Sequence, residues 1–424
     1  MAAIPVNASP DQRMHSAQAL YEKLSGDTGT DFNIEELWSY RLERVRQQIR
    51  SSNFSCMILY DPVNIRYATG TSTMPVFSLH FRDRYCFIAS DGPVVFFEKP
   101  HWSHLTQSSG RVDEVRDRVS CRGATGGPNV AKNIDHWIGE IGDLMRCYGN
   151  DSKNIAMDHC EPALAFALQQ KGYKVCDAQE PMEIARSVKS SDELYCMRVA
   201  LAVAEHGMYK IREAVEPGIT ENKLWAILAE TNIAYGGEWL ECRLLSSGQR
   251  TNPWLQEASD RVIRSGELVA LDTDMIGPFG YCADISRTWL CGPGKPTSRQ
   301  RKLYSLAFEE LQHNISLLKP GMTLREVAEL AWKVPDLYAA NSYAFVAHGV
   351  GLCDEWPNCY QLERLLAQDE GDIVLQPGMT LCVESYIGET NGPDGVKLEE
   401  QVVITNSGVE LMSTFPFEND QFMN

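Results

Sequence analysis

Residues 268–274 read Leu-Val-Ala-Leu-Asp-Thr-Asp, and residues 281–288 read Tyr-Cys-Ala-Asp-Ile-Ser-Arg-Thr. The apolar run after Gly266 has the length of a short strand. Because side chains alternate along a strand, Asp272 and Asp274 fall on one face. Asp284 comes from a second short apolar segment. Acids delivered to the ends of apolar strands are costly to bury unless a cation or an arginine neutralises them.

The same pattern continues downstream. Val346-Ala347-His348-Gly349-Val350-Gly351 offers an imidazole, Thr380 to Tyr386 reads as a strand with Glu384 at its centre, and Val396 to Ile404 reads as another with Glu399 inside it. Taken singly, each acid is a solvated strand residue or an arginine partner. Together, carboxylates and one histidine in apolar strands of one region point to a shared cation site. Their summed charge is excessive for one divalent ion and suits two with a bridging hydroxide. The donor set fits Fe, Mn, Co or Zn.

Working outward, a chain of 424 residues with 44% hydrophobic content is too long for one ordinary core, and two domains are expected. Residues 1–31 are polar and end in a Gly/Asp/Thr-rich stretch, which predicts a loose arm or a partner-embracing extension. Residues 32–185 alternate helical and strand patterns. Ile34 to Ile49 reads as a helix, and Cys56 to Tyr60 as a strand that stops at Asp61-Pro62. Tyr85 to Ile88, Val94 to Phe97 and Ile155 to Met157 are further strands. No metal-ligand cluster falls there, so this is read as a non-catalytic α/β domain. The catalytic domain is assigned to residues 186–424. It opens at Ser190-Ser191-Asp192-Glu193, where Ser190 caps a long helix and Glu193 folds back on the cap. Pro217-Gly218-Ile219-Thr220 and Pro320-Gly321-Met322-Thr323 each follow a long amphipathic helix and open another, the second expected over Leu324 to Val334. Two such units predict an internal duplication with a site between its halves.

Composition excludes some functions. A net charge of -18 and a pI near 5.0 give no footprint for a phosphate backbone, so nucleic-acid binding is not expected. No apolar run approaches the roughly 20 residues needed to span a bilayer. The 13 cysteines include no CxxC pair, and with no secretory pattern among the first residues the expectation is a cytoplasmic protein with reduced thiols.

The order Asp, Asp, His-Gly-x-Gly, Glu, Glu resembles the ligand series of the pita-bread metallopeptidases, the superfamily of methionine aminopeptidase, prolidase and aminopeptidase P. Pro62-Val63-Asn64-Ile65-Arg66-Tyr67-Ala68-Thr69-Gly70 resembles the start of the creatinase/prolidase-type first domain. The resemblance implies an α/β (α+β) chain with a pseudo-twofold catalytic domain. It also implies Glu399 rather than Glu400 as ligand, because the first glutamate of Lys397-Leu398-Glu399-Glu400-Gln401-Val402 stands at that family's ligand position; Glu400 would then point to the other face.

Two departures separate this chain from the peptidases. Cys353-Asp354-Glu355-Trp356-Pro357 stands where they place a second histidine, and Ser247-Gly248-Gln249-Arg250-Thr251-Asn252-Pro253 leads into Trp254 where they place another. The extra acid of Asp272-Thr273-Asp274 is a further difference. These features, with Gly236-Gly237-Glu238-Trp239 and Asp284-Ile285-Ser286-Arg287-Thr288-Trp289, are similar to the DddP-type lyases of dimethylsulfoniopropionate (DMSP). That resemblance implies a homodimeric lyase, iron-containing by the family's usual description, with two divalent metal ions held by Asp272, Asp274, Asp284, His348, Glu384 and Glu399. Asp354 is then the general base. Tyr343, Trp254 and Trp356 are candidate contacts for a sulfonium, whose soft charge favours aromatic faces, and Arg287 is expected to pair with acids around the site. Two other readings are an Xaa-Pro-type binuclear peptidase of the prolidase/aminopeptidase P kind and a non-catalytic creatinase-fold binding module.

Overall fold

The computed structural model describes residues 15–29, 31–106, 110–368 and 373–423. The chain divides into two compact units, residues 33–186 and residues 187–424 together with the N-terminal segment up to Phe32.

The smaller unit is built on six strands: β1 (Cys56–Leu59), β2 (Tyr85–Ile88), β3 (Val95–Glu98), β4 (Glu114–Asp117), β5 (Asn154–Met157) and β6 (Lys174–Asp177), in the order β4-β3-β2-β1-β5-β6. β1 is fully buried, as its uninterrupted apolar run Cys-Met-Ile-Leu requires. The helix Val130–Tyr148 lays Ile134, Trp137, Ile138, Ile141 and Leu144 into the same core, at the spacing that puts them on one helical face. The expected helix from Ile34 is present as Ile34–Ser51, started by the Asn33 side chain, which accepts from the N–H groups of Glu35 and Glu36.

Among the described residues the larger unit carries three sheets. Its strands are β7 (Trp239–Leu240), β8 (Leu245–Ser247), β9 (Leu268–Asp272), β10 (Met275–Ile276), β11 (Cys282–Ala283), β12 (Ser286–Leu290), β13 (Phe345–Val350), β14 (Asp354–Tyr360), β15 (Thr380–Gly388), β16 (Gly395–Thr405) and β17 (Gly408–Leu411). They associate as β11-β10-β7, β12-β9-β8 and β14-β13-β15-β16-β17. Helix Ser298–Leu317 packs on β15 and β16 and, with Val346, Leu381, Val383 and Leu398, builds the main core.

The two Pro-Gly-x-Thr units behave alike. Gly218 and Gly321 both take a positive φ, 104° and 90°, which a side chain would strain. Thr220 and Thr323 each cap a helix, Glu221–Ala234 and Leu324–Leu330, and each forms an antiparallel bridge, to Val262 and Val374. The Ser190 capping box is formed and starts helix Ser191–Ala214. The second short helix ends at Leu330, before the expected Val334. The Trp332 N–H donates to the Asn314 side chain at 2.9 Å rather than to the preceding turn, and Pro335 follows.

The N-terminal segment departs from the loose arm expected over residues 1–31. His15–Ser25 is a helix, and Tyr21 and Phe32 set their rings against Tyr195 at 5.5 and 5.0 Å. Ala17 and Tyr21, four residues apart, give this polar segment one small buried face. Residues 1–14 and 30 lie outside the described residues. Among the described residues no helix is long and apolar enough to cross a membrane.

Candidate metal centre

Four strands and two connections between strands converge five acids and one histidine. β9 ends in Asp272, which is register-paired with Ser286 of β12. Asp274 follows at a positive φ of 34°. Asp284 sits between β11 and β12, held by its N–H donating to the Gln401 side chain at 3.1 Å. His348 on β13 pairs in register with Cys382 on β15, and Glu384 on β15 pairs with Glu399 on β16. Alternation on β15 and β16 therefore turns the chemical residues to one face and their apolar neighbours to the core behind. Glu400 goes to the opposite side, where it takes the Arg287 guanidinium. Arg287 also donates to the carbonyls of Glu399 and Phe415, so it braces the backbone behind the site instead of the acids within it.

All six sequence-derived ligands come together. One oxygen each of Asp272, Asp274 and Asp284 lies within 4.8 Å of the others, and Asp284, His348, Cys382 and Glu399 form a second such group, so Asp284 is common to both. His348 Nε2 stands 3.1 Å from Glu384 Oε1, 3.5 Å from Asp284 Oδ2 and 3.6 Å from Glu399 Oε1. Asp284 Oδ1, Glu384 Oε1 and Glu399 Oε1 are buried and accept no hydrogen bond. Buried carboxylate oxygens without donors cost several kcal/mol unless a cation takes them, and a set of hard oxygens with one imidazole suits a divalent transition-metal ion.

The electrostatics agree. Loss of solvent, with repulsion between neighbours, pushes the carboxyls of Asp272 and Asp274 up to about 7 and that of Asp284 well above the usual range. Burial acts on Glu399 in the same direction, but Lys397 and His348 override it and hold this acid ionised. For His348 burial opposes the charged form, and Asp354 with the glutamates outweighs it. Bound cations reverse this logic by favouring every ionised carboxylate.

Asp354 opens β14, with Oδ1 4.0 Å from His348 Nδ1 and 3.9 Å from the Cys282 thiol. Its side chain is 41% exposed, unlike those of the six candidate ligands. Crowding by protein raises its carboxyl to about 7, His348 pulls it down, and Asp274 and Glu399 push it up again. Tyr343 and Trp254 pack together with Tyr386 and Ala270, and the acids facing Tyr343 place it beside the cluster. Trp356 packs against the main core.

Sequence reasoning missed three residues here. Lys397 is fully buried, with Nζ 2.8 Å from Glu384 Oε2, 2.9 Å from Glu399 Oε2 and 3.5 Å from Asp272 Oδ2. Ser286 Oγ reaches Asp272 Oδ1 at 2.7 Å and Glu399 Oε2 at 2.6 Å. Cys382 offers a thiol beside His348. Each stands two positions from a candidate ligand, so strand alternation carried the signal.

Comparison with known proteins agrees with this geometry. Residues 195–406 match metallopeptidase family M24, and residues 41–188 match the creatinase/prolidase N-terminal domain. The dimethylsulfoniopropionate lyase DddP of Roseovarius nubinhibens is 34% identical over 391 residues, 91% of this chain and 87% of that protein. The protein of the same name from Roseobacter denitrificans is 35% identical over 89% of this chain and 86% of its own length. Among solved structures, an Xaa-Pro dipeptidase from Bacillus anthracis superposes with a TM-score of 0.71 at 19% identity, covering 89% of this chain and 98% of that one, a likeness of fold.

Proposed function

We infer the reaction from one premise: the chain belongs to metallopeptidase family M24 and, within it, to the DddP type of dimethylsulfoniopropionate lyase. The activity is a metal-dependent β-elimination. DMSP loses a proton from the carbon next to its carboxylate, that electron pair forms the C=C bond, and the C–S bond breaks with its electrons going to sulfur. The products are acrylate, dimethyl sulfide and one proton.

In this proposal Asp272, Asp274, Asp284, His348, Glu384 and Glu399 hold two divalent ions, iron first and Mn, Co or Zn as alternatives. When bound, the metal supplies a Lewis acid for the substrate carboxylate, which stabilises charge developing on the neighbouring carbon by several kcal/mol. Asp354 Oδ takes the proton. The observation that supports this role is its position, in reach of His348 yet open to solvent. A base positioned in this way contributes about 10² to 10⁴ in rate. Tyr343 and Trp254 supply the aromatic wall for the sulfonium, each ring contributing roughly 0.5 to 2 kcal/mol. Trp356, against the core, is assigned a lesser part in the same wall. The protein acts as a cytoplasmic homodimer, with residues 32–185 as a non-catalytic domain and 186–424 as the catalytic one.

Peptide hydrolysis draws no support from the site. In the catalytic unit His206 faces Tyr235 and His313 contacts the Leu330 carbonyl, so among the described residues of that unit only His348 stands at the cluster. A binding module without metal is disfavoured by the three donorless oxygens. Offering one metal-loaded preparation DMSP and an Xaa-Pro dipeptide in parallel separates the readings. The lyase reading expects dimethyl sulfide and no dipeptide cleavage, and the opposite pair of results sinks it.

A further inference from the structure

An ammonium has three N–H donors and no acceptor. At Lys397 all three are engaged, by Glu384 Oε2 at 2.8 Å, Glu399 Oε2 at 2.9 Å and Ser286 Oγ at 3.0 Å, with Asp272 Oδ2 close by at 3.5 Å. The residue is 0% exposed, and its backbone is tied to β12 through Thr288, whose hydroxyl accepts from the Lys397 N–H and donates to its carbonyl. A lysine so fixed has no room to act as a proton acceptor or to move with substrate. Ser286 accepts from it and has one proton to give, to Asp272 Oδ1 or Glu399 Oε2.

The oxygens then sort into two sets. Glu384 Oε2, Glu399 Oε2 and both oxygens of Asp272 face Lys397 and Ser286. Glu384 Oε1 and Glu399 Oε1, with Asp284 Oδ1, are buried and accept nothing. Each glutamate is thus split, one oxygen held from behind and the other left forward beside His348.

We propose that Lys397 and Ser286 are a positioning pair that holds both oxygens of Asp272 and the rear oxygens of Glu384 and Glu399, so that the forward oxygens of the glutamates meet the metal ions, and that the fixed positive charge of Lys397 sets how many ions the centre takes. The five ligand carboxylates carry five negative charges, Lys397 cancels one, and the remaining four match two divalent ions beside a neutral His348. The inference rests on the metal-centre reading above. It assigns Lys397 no contact with substrate.

The test uses the full chain loaded with Co(II), whose visible absorption reports ligand geometry without turnover. Metal per chain, affinity and spectrum are compared for wild type, Lys397→Met, Lys397→Arg and Ser286→Ala. Outer partners of metal ligands typically govern roughly 10- to 100-fold in affinity. The expected result is about two Co(II) per wild-type chain, a loss of that size with altered bands in Lys397→Met, partial recovery in Lys397→Arg, and altered bands in Ser286→Ala. The serine variant keeps the test open if Lys397→Met does not fold. Wild-type content and spectrum in folded Lys397→Met or Ser286→Ala, even at a lower melting temperature, overturn the positioning role. Failure of the wild type itself to bind Co(II) overturns the metal-centre reading beneath it, a separate and visible outcome.

Discussion

Glu384 and Glu399 stand opposite each other as register partners on β15 and β16, and each directs a donorless Oε1 toward His348 Nε2, at 3.1 and 3.6 Å. Two acids facing across a buried hairpin repel unless something lies between them.

Removing one of this pair is therefore expected to empty the centre more than to unfold the chain. Glu384→Gln or Glu399→Gln keeps the shape and relieves the repulsion, while it takes away an ionised ligand. Metal content measured by elemental analysis after dialysis is expected to fall by about half or more. Full metal content in both variants contradicts their assignment as ligands.

A buried acid outside the site gives a pH prediction. Glu310, on helix Ser298–Leu317, is pushed up to about 8 chiefly by burial, opposed by the hydrogen bond it accepts from Ser385 Oγ at 2.6 Å. Its folded value lies above the unfolded one, near 4.5, so the folded state binds the extra proton between those values. Its effect on stability is therefore absent below about pH 4.5 and becomes increasingly unfavourable as pH rises to about 8. Glu310→Gln is expected to match the wild type at the acid end and to exceed it above pH 8 by on the order of a few kcal/mol. Denaturant unfolding at several pH values checks this, and parallel profiles contradict it.

Gly351, three residues after His348, makes room for another buried ion pair. A Cβ on Gly351 would fall 2.2 Å from Glu355 Oε1, and that oxygen is held by Lys189 Nζ at 2.6 Å with both side chains almost wholly buried. Gly351→Ala is expected to displace Glu355 and lower stability by about 3 to 5 kcal/mol, the cost of breaking a buried pair from one side. An unfolding midpoint within error of the wild type argues against this reason for the glycine.

Much of the site was legible in the sequence because period-two alternation is strict. Asp272, Asp284, His348, Glu384 and Glu399 are all read from short apolar strands in chain order, and the structure brings them together. Lys397, Ser286 and Cys382 obey the same rule two positions away, but a lysine or serine in a strand carries no signal of its own. Their role depends on which oxygens they meet across strands. Arg287 shows the complementary limit. It pairs with Glu400 behind the sheet, and one sequence does not reveal which side of β12 faces which side of β16. The N-terminal helix was obscured for a different reason, because a single turn of apolar contact at Ala17 and Tyr21 is too weak a period to read, and its order comes from packing on Tyr195.

The central claim is that Asp354 removes the proton in a metal-dependent elimination. The measurement that tests it most directly is dimethyl sulfide in the headspace above DMSP and purified protein, with Fe(II), Mn(II), Co(II) or Zn(II) restored, for wild type and Asp354→Ala at matched metal content. The account predicts metal-dependent release in the wild type and a loss of about 10² to 10⁴ in rate in the variant. Release at the wild-type rate from Asp354→Ala, or none from the wild type with any of these metals, would contradict it.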